Sequence, residues 1–297
     1  MDADRTADVV PVLQMRFPGP LVVVIAALSS QLLAVGGCKE KKERRRVEPA
    51  TETVPAETIA ATQPPKGPSG TITGVIRFTG TAPEMPFINN GTDPVCAAKK
   101  LRAETILVNA NGTLRNAIAR VKPGTVPGWI PTEPVLVKQL DCMYRPRVQG
   151  AVAGQKLIVE NNDETSHNVH VRAAKVGDRQ GAQALWNRQQ PKKSMGLEPI
   201  RTVVEDHPVM RLKCDMHGWM SGYLLVSDNP YSAVTGEDGA FSMQVPVGER
   251  VIEAWHEFYG LKQATVTVTE GQTTTVEFTF DATADNPTAS KQPAKGT

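Results

Sequence analysis

Two short segments carry the residues whose chemistry stands out. One reads Lys213-Cys214-Asp215-Met216-His217-Gly218-Trp219-Met220, and the other Asn162-Asp163-Glu164-Thr165-Ser166-His167-Asn168-Val169-His170. Together they offer a thiolate, imidazoles and thioethers. Such soft donors select copper and support one-electron transfer, whereas calcium and magnesium prefer oxygen. On the first segment a single loop brings Cys214, His217 and Met220 to one point. Met216 is the rival thioether, but it lies between the cysteine and the histidine and is expected to face the interior. A further histidine must arrive from another strand end, where His167 and His170 compete. In an extended chain residues three apart point to opposite faces. With His167 on the ion, His170 becomes a supporting or surface group, or part of a second, weak metal site.

The rest of the chain must position those segments. Its 297 residues carry a formal charge of only +2, which gives no global pull toward nucleic acid, and 40% are apolar, enough for a core once the tails are set aside. Alternating runs predict strands at 71–78, 105–109, 114–121, 135–140, 148–152, 156–161, 209–213 and 223–226. The turns Ala110-Asn111-Gly112 and Ala153-Gly154-Gln155 separate neighbouring strands. Residues 94–102 are the one helical candidate before residue 105. Residues 172–198 are polar and read as a long excursion between sheets, pinned by Trp186. After Asp228-Asn229-Pro230 the composition changes, and four strands follow over 240–280. In the last of them Val276, Phe278 and Phe280 share one face. The expected class is all-β: a metal-bearing sandwich over 105–227, a small antiparallel module over 228–281, and a first strand with its linking segment over 70–104. The first strand is expected to pair with the C-terminal module.

The N-terminus reads as an address. An apolar run over 21–35 ends in Val35-Gly36-Gly37-Cys38 and resembles a bacterial lipoprotein signal, with 1–37 removed and Cys38 lipidated. The stretch before the run is acidic, unlike a signal peptide's start, and Met15, which opens Met-Arg-Phe, is a second candidate start beside Met1. A basic run over 39–46 and a Pro/Thr/Ala-rich stretch to residue 69 form a tether. Residues 282–297 are a polar tail. The expected location is the periplasmic face of the envelope, held in the bilayer by acylated Cys38, with the outer membrane favoured.

The two chemical segments resemble the copper sites of plastocyanin and amicyanin. His167-Asn168-Val169 matches the family's His-Asn-Val, and Cys214, His217 and Met220 match amicyanin's spacing. The resemblance implies a cupredoxin Greek-key sandwich holding one copper ion on His167, Cys214, His217 and Met220. It also implies that Asn168 ties the two ligand loops together. Gly218 departs from the family's usual proline. From Gly70 to Phe280 the chain further resembles exported bacterial proteins that pair such a domain with a carboxypeptidase-regulatory, transthyretin-like module. The matching motifs are Asp93-Pro94-Val95-Cys96, Cys142-Met143-Tyr144-Arg145-Pro146, Val245-Pro246-Val247-Gly248 and Ala254-Trp255-His256-Glu257. A histidine often follows the second motif's proline in that group; Arg147 stands here.

Cys96 and Cys142 are left as a pair, and export places them where a disulfide persists. Trp219 beside His217 shapes either a docking face or the core, and Trp255-His256-Glu257 reads as packing rather than a site. The function expected is one-electron transfer by a blue copper ion cycling between Cu(I) and Cu(II). His217 would be the exposed port to a redox protein partner, and the chain a monomer. The alternatives are copper storage, chaperoning or sensing, or a structural lipoprotein that binds glycan or protein. No serine-nucleophile motif or paired-carboxylate signature suggests an enzyme.

Overall fold

A computed structural model describes residues 67–175, 183–193, 195–199 and 208–286. The leader, lipidation at Cys38, nearly all of the tether and most of the tail lie outside the described residues. In chain order the elements begin with β1 (Ser69–Thr79), the helix α1 (Pro94–Ala97), β2 (Leu107–Val108), β3 (Leu114–Arg115) and β4 (Ile118–Val121). Next come β5 (Val135–Leu140), β6 (Met143–Arg145), β7 (Val148–Val152), β8 (Lys156–Asn161), β9 (His167–Ala174), β10 (Gln183–Gln190) and β11 (Met195–Pro199). The series ends with β12 (Val209–Lys213), β13 (Ser221–Ser227), β14 (Ser232–Val234), β15 (Ala240–Pro246), β16 (Gly248–His256), β17 (Gly260–Val268) and β18 (Thr273–Asp281). Apart from α1 the described chain is all β.

Strands β5 to β13 make two sheets, ordered β10-β9-β12-β13-β7 and β11-β8-β5-β6. Their apolar faces share one core that includes Val137, Leu157, Val171, Leu212 and Leu224. Strands β1 and β14 to β18, with β4, make two others, ordered β15-β1-β18 and β14-β4-β16-β17, over a second core containing Ile72, Ile76, Phe241, Ile252 and Phe280. A smaller cluster of Ile118, Val148, Val209, Tyr223 and Trp255 draws residues from both sets of strands.

β1 is antiparallel to β15 and parallel to β18. Its alternation buries Ile72, Gly74, Ile76 and Phe78, leaves Thr73 and Val75 half-buried and exposes Arg77. Burying each such large side chain contributes about 1.5–3 kcal/mol. Gly74 keeps the pattern without a side chain because a Cβ there would lie 2.0 Å from the Val276 carbonyl oxygen and 2.4 Å from the Phe241 ring. Backbone and ring approach β1 too closely for any side chain.

Three sequence expectations change. The metal-bearing body was expected to start at 105, yet β4 is hydrogen-bonded between β14 and β16, so 105–121 sits with the C-terminal strands. β4 is buried at all four residues, and Arg120 on it pairs with buried Glu253, so it has no alternation to reveal its place. The polar excursion over 172–198 instead supplies two strands. β10 is an edge strand on β9, mostly exposed, with only Trp186 and Gln190 turned toward cover. A strand with solvent on most sides needs no apolar period. The helix is only four residues long, capped by Asp93, whose carboxylate accepts from Val95 N–H and Cys96 N–H at 2.8 and 3.1 Å.

Candidate metal centre

β9 and β12 are antiparallel neighbours, with Lys213 opposite His170 and Leu212 opposite Val171. This register sets the start of β9 beside the end of β12, and so His167 beside the loop that follows Lys213. The loop from Cys214 to Met220 is closed by Met220 N–H to the His217 carbonyl at 2.9 Å and by Cys214 N–H to the Met220 carbonyl at 3.4 Å. Asn168 fastens it to β9. Its side-chain amide oxygen accepts from Asp215 N–H at 2.7 Å and Met216 N–H at 3.4 Å, while its backbone N–H points at Cys214 Sγ, 3.5 Å away.

At the centre of this frame the Nδ1 atoms of His167 and His217 lie 2.8 Å apart. Cys214 Sγ stands 4.0 Å from the first and 3.7 Å from the second. An ion holding two imidazole nitrogens and a thiolate at tetrahedral angles separates the nitrogens by about 3.3 Å and nitrogen from sulfur by about 3.5 Å. Opening the two rings by about half an ångström meets that requirement. One thiolate and two imidazoles form a soft, nitrogen-and-sulfur donor set, so these residues fit a metal ion. The fit is to the donor chemistry and does not single out copper.

The far nitrogens of both rings are engaged. His167 Nε2 donates to Asp163 at 2.9 Å, and His217 Nε2 donates to Asp93 at 3.3 Å. Carboxylates on Nε2 direct each Nδ1 toward the common centre, where an entering metal ion would displace any proton it carries. Asp163 also accepts from Asp141 N–H and Cys142 N–H at 2.8 and 2.9 Å. Those two residues turn the β5–β6 hairpin with φ of 54° and 56°. Cys142 is joined to Cys96 in a disulfide, and Cys96 Sγ lies 4.0 Å from His217 Nε2. Three donor groups therefore overlap here, His167–Cys214–His217, Asp93–Cys96–His217 and Cys142–Asp163–His167, each with ligand atoms within 4.8 Å of one another.

These partners set the charges. Burial pulls the pKa of His167 down, but Asp163 and Cys214 on its two sides outweigh it and raise it to about 9. Burial pushes the Cys214 thiol up, and His167 with the Asn168 N–H more than offsets this, leaving it below the usual thiol range. His217 is lowered, first by burial and then by the charge on His167. A thiol whose pKa is lowered in this way gives up its proton to an entering cation more readily.

The same surroundings overturn the expectation of a blue electron carrier. His217, expected at the surface as the port, is 2% exposed. Asp93 and Cys96 cover it on one side and Trp219 on the other, with ring centroids 5.1 Å apart. Trp219 is itself partly buried, and its indole N–H donates to the Cys142 carbonyl at 3.0 Å. The disulfide consumes two of the three described cysteines, so Cys214 is the one remaining thiol among the described residues. Met220 is fully buried and packs in the same apolar core as Cys214.

One further residue departs from the sequence reading: Met216 is 49% exposed, not turned inward. His170, expected as a supporting or surface group, stays off the cluster, and its Nδ1 contacts the Asp215 carboxylate at 3.0 Å. The reading assigned no role to Asp93 or Asp163, although both sit in segments it singled out. Arg147 forms a buried ion pair with Glu257, so the Trp255-His256-Glu257 motif is packing and pairing.

No family model matches this chain, and no curated protein matches it. Solved structures give distant likenesses. A mutant of amicyanin in its Cu(I) form is 18% identical, with a TM-score of 0.26, over 32% of this chain and 82% of that one. An oxidized mutant of amicyanin is 19% identical, with a TM-score of 0.26 over the same shares. The Cu-containing nitrite reductase from Thermus scotoductus SA-01 is 16% identical, with a TM-score of 0.26, over 35% of this chain and 25% of that one. The similarity to cupredoxin-fold proteins is thus remote and partial.

Proposed function

We propose that this chain binds one copper ion without serving as an electron carrier, as a storage, chaperone or sensor protein does. The observation that carries the reading is the convergence of His167 Nδ1, His217 Nδ1 and Cys214 Sγ in a buried pocket. Thiolate and imidazole are ligands that Cu(I) accepts, and Cu(I) tolerates three of this kind. Burial favours retention of the ion over rapid exchange of electrons with a docked partner.

We read β5 to β13 as a cupredoxin-like sandwich, and β1, β4 and β14 to β18 as a transthyretin-like module into which it is inserted. Export, with acylation of Cys38 and a basic tether at the membrane, completes the proposal; mass analysis of the mature N-terminal peptide checks it. No catalytic role is proposed.

Anaerobic titration with Cu(I) against a chromophoric chelator tests the binding reading. One equivalent should be taken up with high affinity, and Cys214→Ser should lose it. Absence of stoichiometric uptake by folded wild-type protein would overturn the proposal.

A further inference from the structure

Three sulfur atoms, not one, surround the histidine pair. Cys214 faces the two Nδ1 atoms, while the disulfide lies on the opposite side of the rings, near the Nε2 atoms. Cys96 Sγ, His217 Nε2 and Asp93 Oδ2 form one donor group there, with the sulfur 4.0 Å and the carboxylate 3.3 Å from the nitrogen. Cys142, bonded to Cys96, contributes to the matching group around His167. Cys96, Cys142 and His217 are all buried, and Asp93 is partly so. As a disulfide the two sulfurs are poor ligands; as thiolates they are strong ones.

We infer that the Cys96–Cys142 disulfide conceals a second metal site, opened by reduction and formed by both thiolates, His217 Nε2 and Asp93. Two sulfurs, one nitrogen and one carboxylate oxygen suit a divalent ion of the zinc type in tetrahedral geometry. The inference deepens the metal-binding reading above. It rests on that reading for His217 and is independent of Cys214. A neutral imidazole coordinates through one nitrogen, so His217 serves either ion but not both. The thiol or disulfide state of the neighbouring pair then decides where an ion is held.

The opening step balances with a dithiol as reductant. It gives two electrons and two protons to the S–S bond, yielding two thiols, and becomes a disulfide itself. The entering ion displaces both thiol protons. In the laboratory a phosphine replaces the dithiol: two electrons pass to the sulfurs, water supplies two protons, and its oxygen leaves on the phosphine oxide.

Cobalt(II) reports thiolate ligation by its charge-transfer absorption. The decisive protein is full-length Cys214→Ser, titrated anaerobically before and after phosphine treatment. The oxidised form should show no thiolate–cobalt band, and the reduced form should bind one ion with a strong band. In wild-type protein reduction should at least double that band, and Cys96→Ser/Cys142→Ser should show no gain on phosphine treatment. If two thiols are freed and no band appears, the inference fails. Loss of the β circular-dichroism signal on reduction counts against it equally, because the site would then not exist in the fold. Failure of the Cys214 centre would look different: Cys96→Ser/Cys142→Ser would bind no metal, while reduced Cys214→Ser still would.

Discussion

Asp163 Oδ2 accepts the Nε2 proton of His167 at 2.9 Å while also accepting the Cys142 N–H at 2.9 Å. One carboxylate thus orients a metal-facing imidazole and holds the hairpin that carries half of the disulfide. Asp93 does the matching work at His217, and it caps the short helix that carries Cys96. The two rings are steered from behind, and their Nδ1 atoms converge because their Nε2 atoms are held apart.

Asp163→Asn should therefore damage metal binding by changing a tautomer. The amide oxygen can still accept a backbone N–H, so the NH2 faces His167 Nε2 and demands an acceptor. The neutral His167 ring then keeps its proton on Nδ1, where the metal would bind, instead of on Nε2. Affinity should fall by about 10- to 100-fold, as for other partners of ligating histidines. Metal titration checks this, with circular dichroism to confirm the fold; unchanged affinity would show that Asp163 does not set the ring's proton.

How much of this was legible follows from sequence distance. Cys214 and His217 share one short loop, and their proximity needs no tertiary knowledge. Alternation in β18 exposed its buried face of Val276, Phe278 and Phe280 directly. His167 reached the same point only through the β9–β12 register, which the His-Asn-Val resemblance supplied and periodicity did not. The cover over His217 comes from Asp93 and Cys96, a strand-poor segment far away in sequence, so the closed port left no local trace. β10 escaped notice because an edge strand in water carries no hydrophobic rhythm.

Gly218 follows His217 where the resembling family often has proline. A Cβ built there meets nothing within 4 Å, and its φ lies outside the left-handed region. The position makes no demand for glycine. Gly218→Ala should stabilise the folded protein by about 0.4–1 kcal/mol by restricting the unfolded chain. Urea unfolding of the metal-free protein measures it. A loss of stability would mean that the loop depends on glycine's freedom after all.

Arg147 and Glu257 form a buried, two-pronged pair, 6% and 4% exposed, and the Arg147 guanidinium also donates to the Ser221 carbonyl at 3.3 Å. Removing one partner strands a charge. Arg147→Met should cost about 3–5 kcal/mol, whereas Arg147→Met/Glu257→Leu should recover most of that loss. Denaturant unfolding of the two single variants and the double variant gives the coupling directly. Additive costs would show that the pair does not act as a unit.

His256 should make the metal-free protein acid-sensitive. It is fully buried and stacked on Tyr259 with ring centroids 5.2 Å apart. Its Nδ1 accepts from Phe258 N–H and Tyr259 N–H at 3.2 and 3.4 Å, so that nitrogen is held as an acceptor. Nε2 has no partner. Burial, reinforced by the positive charge of Arg147, lowers its pKa from 6.5 to about 3. Between those values the unfolded chain binds a proton that the folded chain refuses. The stability tied to neutral His256 is therefore complete above pH 6.5 and drains away as pH falls toward 3. Within that window the site tilts the folding equilibrium by about tenfold per pH unit. His256→Asn keeps an acceptor for the two N–H groups and cannot be protonated in this range. Comparing urea midpoints of wild type and variant from pH 7 to pH 4 isolates the effect, since every other titrating group is common to both. The wild-type curve should fall more steeply by one proton's worth of slope, and parallel curves would show that His256 takes up its proton without unfolding.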